Sequence, residues 1–156
     1  MNGVNCQNCA NSPWVQRANQ FIVNNRTNQG YSAHLATVEF LLQNQSGHCG
    51  INNRTGIRAI LQHLSQQGFT FSREGFQNSV LTDLKRFGIV ATLVYPGGRG
   101  GVFIPCNQNE MREVSRQLIN RVVQELTNLE GTAHPTQIHR HIRQLRQAAE
   151  RTLQRI

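Results

Sequence analysis

Arg73, Gln77, Asn78, Thr82, Lys85 and Arg86 crowd into one short stretch of the chain, and Arg99 follows in the glycine-rich run PGGRGG. Arginine offers a fork of paired donors, and glutamine and asparagine a donor beside an acceptor, that match the edges of bases, whereas lysine and threonine grip phosphate oxygens. The charge balance favours such a partner. The 156 residues carry 16 Lys and Arg against 8 Asp and Glu, a net charge of +8, and the pI is near 10.6. Lys85 is the only lysine, so nearly all the positive charge sits on guanidinium groups, whose planar fork suits phosphate and guanine better than an ammonium does. An excess of this kind points to an acidic polymer or surface as partner, and binding a polyanion also releases condensed counterions.

The same inventory argues against catalysis. Asp83 is the only aspartate, which leaves paired-aspartate metal chemistry without ligands. His139 and His141 stand two apart, on different faces of a helix, and His34, His48, His63 and His134 have no carboxylate and nucleophile set near them in sequence. PGGRGG leads into a strand rather than a helix and lacks a Lys-Ser/Thr pair, so it is no phosphate loop. Neither an enzyme nor a cofactor is expected. The remaining reactive set is the four cysteines: Cys6 and Cys9 form a C-x-x-C, with Cys49 and Cys106 far downstream. A zinc site on Cys6, Cys9, Cys49 and Cys106 lacks the second close pair that marks a tetrahedral centre, and His48 adjoins Cys49 too closely to share an ion with it comfortably. The preferred reading is free thiols in a mobile N-terminal arm, with no metal.

The polar stretch must be carried by a helix. Phe76, Val80, Leu81, Leu84 and Phe87 recur at steps of three and four, which marks a buried stripe and leaves the polar residues outside. Ser72 is a suitable N-cap, Glu74 favours the positive helix start, and Gly88 ends the helix. IVATLVY and VFIPC then read as two strands joined by PGGRGG, with Arg99 the only charge in the loop. Upstream, YSAHLATVEFLLQNQ reads as a helix with Leu35, Val38, Leu41 and Leu42 on one face. TGIRAILQHLSQQ reads as another, with Ile57, Ile60, Leu61 and Leu64 buried and Gly68 closing it. Ser12-Pro13 opens an earlier helix lined by Trp14, Ala18, Phe21 and Ile22, which covers either its own core or a second subunit.

In element order, helix, helix, polar helix and hairpin, the region from about Tyr31 to Cys106 resembles the winged helix-turn-helix domain of small bacterial transcription regulators. The resemblance covers about half the chain and implies a fold that is mainly α with a small β-hairpin. It implies that the helix from Ser72 to Phe87 is the recognition helix, with Arg73, Gln77 and Asn78 facing the major groove of duplex DNA. Thr82, Lys85, Arg86 and Arg99 would then contact the backbone. One departure is the turn Gly68-Phe69-Thr70-Phe71, richer in aromatics than a minimal turn. It either adds a short strand against the wing or changes the angle between the helices.

Beyond the wing, a helix is expected from Glu110 to Glu130, ended by Gly131, and a second from about Thr136 to Arg155. Ile119, Val122, Leu126 and Leu129 form one stripe, and Ile138, Ile142, Leu145, Ala149, Leu153 and Ile156 the other. By analogy with winged-helix regulators these helices would join two copies into a homodimer; the alternative is packing within the chain. The last helix also carries Arg140, Arg143, Arg146, Arg151 and Arg155 against one acid, Glu150, a secondary basic face that would suit backbone phosphates, RNA or protein assembly. The expected divisions are an N-terminal arm and helix over 1–28, a winged-helix domain over 29–107 and C-terminal helices over 108–156. No segment approaches the roughly twenty apolar residues that cross a bilayer, so no membrane partner is expected and the cytoplasm is the expected compartment. The function implied is a sequence-specific duplex-DNA-binding regulator that represses by occupying a promoter. The runner-up is an RNA-binding or assembly module that uses the basic C-terminal helix.

Overall fold

A computed structural model of the chain describes Cys9 and residues 11–43, 49–94, 99–132 and 135–156. It divides into two compact units, Met1–Met111 and Arg112–Ile156. In the first, Ser12 caps helix α1 (Pro13–Asn25), its Oγ accepting from the Val15 amide at 3.3 Å, and proline fits the first turn because its missing N–H has no partner to lose there. Val15, Ala18 and Phe21 are buried in the core formed by the other helices, with Trp14 and Ile22 packed at its margin. The only tryptophan therefore covers its own chain, which resolves one alternative that the sequence leaves open.

Helix α2 (Ser32–Gln43) buries Val38, Leu41 and Leu42 together with His34 and Thr37, while Leu35 is only half-buried. Helix α3 (Ile57–Gln66) buries Ile57, Ile60 and Leu64. It begins two residues later than expected because Thr55 pairs instead with the hairpin, in an isolated antiparallel bridge to Val102 with 2.8 and 2.7 Å hydrogen bonds. The turn after α3 adds no strand: the Phe69 amide bonds back to the Leu64 carbonyl at 2.9 Å. Phe69 and Phe71 tuck against the core, Phe71 6.2 Å from the Phe76 ring. Thr55 thus takes the place beside the hairpin that the aromatic turn was a candidate for.

The next helical run comprises α4 (Arg73–Phe76), a π-helical turn over Gln77–Leu81 and α5 (Thr82–Arg86). Phe76, Val80, Leu81 and Leu84 are buried, as the stripe requires. The wide turn, in which the Thr82 amide donates to the Gln77 carbonyl, lets the adjacent Val80 and Leu81 both reach the core. Gly88 ends the run at φ +75°, a conformation that favours glycine. Strands β1 (Ala91–Leu93) and β2 (Gly101–Phe103) follow, antiparallel and in register with Ala91 opposite Phe103. The fold is mainly α with a small β-hairpin, as the sequence implies.

Helix α6 (Gln108–Thr132) runs through Gly131 rather than stopping there. Glycine lowers helix stability without breaking the backbone ladder, and the Thr132 hydroxyl bonds back to the Asn128 carbonyl at 3.3 Å. Helix α7 (Thr136–Arg155) matches its expected span. In this second unit Ile142 is buried, but Leu118, Val122, Leu129, Ile138 and Leu145 are exposed. No described helix is long and apolar enough to cross a membrane.

The expectation of free thiols in an N-terminal arm is overturned. Cys9 is buried and joined to Cys106 in a disulfide across 97 residues, and no described cysteine is free. The two lie together because the Ser12 hydroxyl donates to the Pro105 carbonyl at 2.5 Å, seating the start of α1 on the end of the hairpin. Cys6, His48 and His134 lie outside the described residues.

Candidate nucleic-acid interface

The polar helix is held by its ends and by its underside. Ser72 caps it, its Oγ accepting from the Gly75 amide at 2.9 Å. At the other end Arg17 of α1 donates its Nε to the Gly88 carbonyl at 2.7 Å. Between these anchors Arg73, Asn78, Thr82, Lys85 and Arg86 are exposed, while Gln77 is half-buried. Gln77 belongs partly to the packed side because its carbonyl closes the π-helical turn, accepting from the Thr82 hydroxyl at 2.8 Å as well as from the Thr82 amide. The Thr82 hydroxyl proton is thereby committed to the backbone.

Asp83 is a structural anion. Its Oδ2 lies 2.9 Å from His34 Nε2 and its Oδ1 accepts from Arg86 Nη2 at 3.0 Å. The histidine is buried on α2, with Tyr31 edge-on at 4.8 Å, so this contact ties α2 to α5. It also holds Arg86 at the surface while leaving most of its side chain open, an ion pair worth little in stability. Lys85 reaches solvent, yet partial desolvation of its ammonium pushes its pKa below the ordinary lysine value.

Arg99 stands in a turn two residues before β2 and is exposed; Tyr95 to Gly98 of the same loop lie outside the described residues. Its position is fixed from an element that the sequence did not single out. Arg54 donates its Nε to the Arg99 carbonyl at 2.7 Å and its Nη1 to the Ile51 carbonyl at 2.8 Å. Gly101, where the loop enters β2, is needed for a different reason: a Cβ there would lie 2.5 Å from the Thr55 carbonyl oxygen. Arg99, the Thr55 bridge and the hairpin are therefore interlocked.

The five-arginine face on α7 is less open than its sequence suggests. Glu130 of α6 accepts from Arg146 Nε at 2.8 Å and from Arg143 Nε at 3.1 Å, and Arg146 Nη1 also bonds Glu150 at 2.8 Å. These bonds hold the Glu130 carboxyl below the ordinary glutamate range and raise the Arg146 pKa. Arg140, Arg151 and Arg155 remain exposed.

Sequence reasoning missed Arg54, Arg17 and the His34–Asp83 pair. Only the last had a signal: His34 falls on the same face of α2 as Val38, Leu41 and Leu42, a polar residue in an apolar stripe that requires a partner.

No family model matches the chain, and no solved structure matches it. A protein of Methanocaldococcus jannaschii named "Putative control protein C.MjaVP" is 48% identical over 132 residues, which span 83% of this chain and 79% of that one. With identity at this level over most of both chains, the chain belongs to the family of C.MjaVP.

Proposed function

We propose that the protein is a transcription regulator that binds duplex DNA through a winged helix-turn-helix, with Arg73–Arg86 as recognition helix and the β1–β2 loop as wing. The observation that carries this reading is the outer flank of that helical run. Arg73, Asn78, Lys85 and Arg86 are exposed on a helix whose underside is locked into the core, directly before a hairpin bearing Arg99. The word "control" in the name of the M. jannaschii relative supports a regulatory role. In this reading Arg73, Gln77 and Asn78 read bases, and Thr82, Lys85, Arg86 and Arg99 contact the backbone. Gln77 and Thr82 contribute less than the others, since one is half-buried and the other spends its proton on a carbonyl. Repression by occupying a promoter is the proposed mechanism, because it needs nothing beyond binding itself. The exposed Leu118, Val122, Leu129, Ile138 and Leu145 support a homodimer that sets two recognition helices on neighbouring half-sites.

Binding of the full chain to genomic fragments across a salt series tests this. Specific binding should weaken steeply with salt and keep a sequence preference. Arg99→Ala should lower affinity on every sequence and reduce the salt slope by about one, while Asn78→Ala should cost about 1–3 kcal/mol at one base position only. If both variants bind like the parent, the contact surface lies elsewhere.

A further inference from the structure

Asp83, the only aspartate of the chain, lies on the helical run that the proposed function sets against DNA, where a carboxylate by itself would repel phosphate. Its two oxygens have separate partners. Oδ2 lies 2.9 Å from Nε2 of the buried His34 on α2, and Oδ1 accepts from Arg86 Nη2 at 3.0 Å. Nδ1 of the His34 ring has no hydrogen-bond partner among the described residues, and a proton placed there would be a buried donor without an acceptor. Nε2 therefore carries the ring proton and donates it to the carboxylate. A buried contact on one oxygen thus fixes where the other can point.

A second contact orders Arg86. Its guanidinium carbon lies 5.5 Å from the centroid of the Phe87 ring, and that ring packs against Phe21 and Tyr31 at 5.9 and 5.8 Å. Tyr31 also stands 4.8 Å from His34, so the carboxylate and the Phe87 ring rest on one aromatic framework. The Arg86 side chain is nonetheless 69% exposed, against 26% for Asp83. A guanidinium has more donors than the one that Asp83 engages, and the others can take a phosphate oxygen.

We infer that Asp83 is a positioning residue for DNA recognition, holding Arg86 in one direction before the duplex arrives so that its phosphate contact forms in a single register. The inference rests on the reading of Arg73–Arg86 as the recognition helix. An exposed arginine ordinarily loses its rotamer freedom on meeting a phosphate, whereas one ordered in advance has little left to lose. The same carboxylate offsets the guanidinium charge at a distance, which lowers attraction to duplexes that place no phosphate in the held direction. Asp83 therefore favours the cognate site over other DNA.

The test compares the full chain, Asp83→Asn, Arg86→Ala and the double variant on two duplexes: the tightest-binding genomic fragment and a scrambled sequence of equal length. Salt is fixed, and the temperature is well below every thermal midpoint. In Asp83→Asn the ratio of the two affinities should fall about tenfold, with the scrambled duplex bound more tightly than by the parent. In the Arg86→Ala background the same change should move that ratio less than about twofold. An equal loss on both duplexes, or the same effect with and without Arg86, would overturn the positioning role while leaving the contact surface in place. An Arg86→Ala variant that binds both duplexes like the parent would remove the contact and the positioning role together. One measurement needs no variant: the Arg86 Nε–H of the free parent should give a heteronuclear NOE near that of the backbone amides in its helix. A value typical of a freely rotating side chain would overturn the inference even where Asp83→Asn fails to fold.

Discussion

Gly101 and Gly131 show how differently one residue type is used in the same chain. A methyl group at Gly101 would collide with the Thr55 carbonyl at 2.5 Å, backbone that has no flexible end to move aside. Gly101→Ala should therefore cost about 1–3 kcal/mol in urea unfolding of the full chain. Gly131 sits inside α6 with nothing within 4 Å of the methyl group that alanine would add, so Gly131→Ala should add roughly 0.5–1 kcal/mol to helix stability. Equal effects at the two positions would contradict the close fit of Gly101 against the Thr55 bridge. The His34–Asp83 contact makes a further prediction. Asp83→Ala strands a buried histidine nitrogen and should cost about 1–3 kcal/mol by the same measurement. Local features at this scale were legible: Ser12 and Ser72 cap helices and Gly88 ends one because each acts within a single turn. Pairs such as His34 with Asp83 and Arg54 with Arg99 were not, because they join positions 49 and 45 residues apart by folding alone.

Helix boundaries were mostly legible, since apolar periodicity and capping residues are local. Gly131 failed to stop α6 because glycine weakens a helix without breaking it, and elsewhere a tertiary contact intervened. Thr55 left its expected helix to bond Val102, and the π-helical turn within Arg73–Arg86 arose because two neighbouring apolar residues both had a core to enter. The helical hairpin carries a pH prediction. Hydrogen bonds from Arg146 and then Arg143 depress the Glu130 pKa, so the folded form takes up its proton less readily than the unfolded chain. The resulting stabilisation is complete above the ordinary glutamate value of about 4.3 and is lost as pH falls through the lower folded value. The gap in thermal midpoint between the parent and Glu130→Gln should thus be widest near neutrality and shrink as the solution is acidified through that window. A gap that does not change with pH would show that Glu130 acts through packing and not through charge.

For the molecule as a whole, the charge of +8 and the exposed apolar stripes lead to separate expectations. For the homodimer proposed above, replacing Val122 and Leu145 together with glutamate should give monomer in sedimentation equilibrium where the parent gives dimer, with helix content unchanged. Binding to a two-half-site duplex should weaken in that variant, because joining two sites in one dimer makes the second contact intramolecular. A dimer that survives both charges would exclude this face. The basic face of α7 is a weaker candidate for a phosphate surface than its arginine count implies, since Glu130 and Glu150 engage Arg143 and Arg146.

By itself the sequence determined what depends on neighbours along the chain: the helices, the hairpin, the polar flank of the Ser72–Phe87 helix and the excess of positive charge. Each follows from spacing within a few residues or from composition. Only the tertiary structure decided the meeting of Cys9 with Cys106, the bridge from Thr55 to the hairpin, the anchoring of Arg99 by Arg54 and the pairing of Glu130 with α7. Those contacts span long separations, and which distant residues meet is fixed by how the apolar faces pack, which no local pattern encodes.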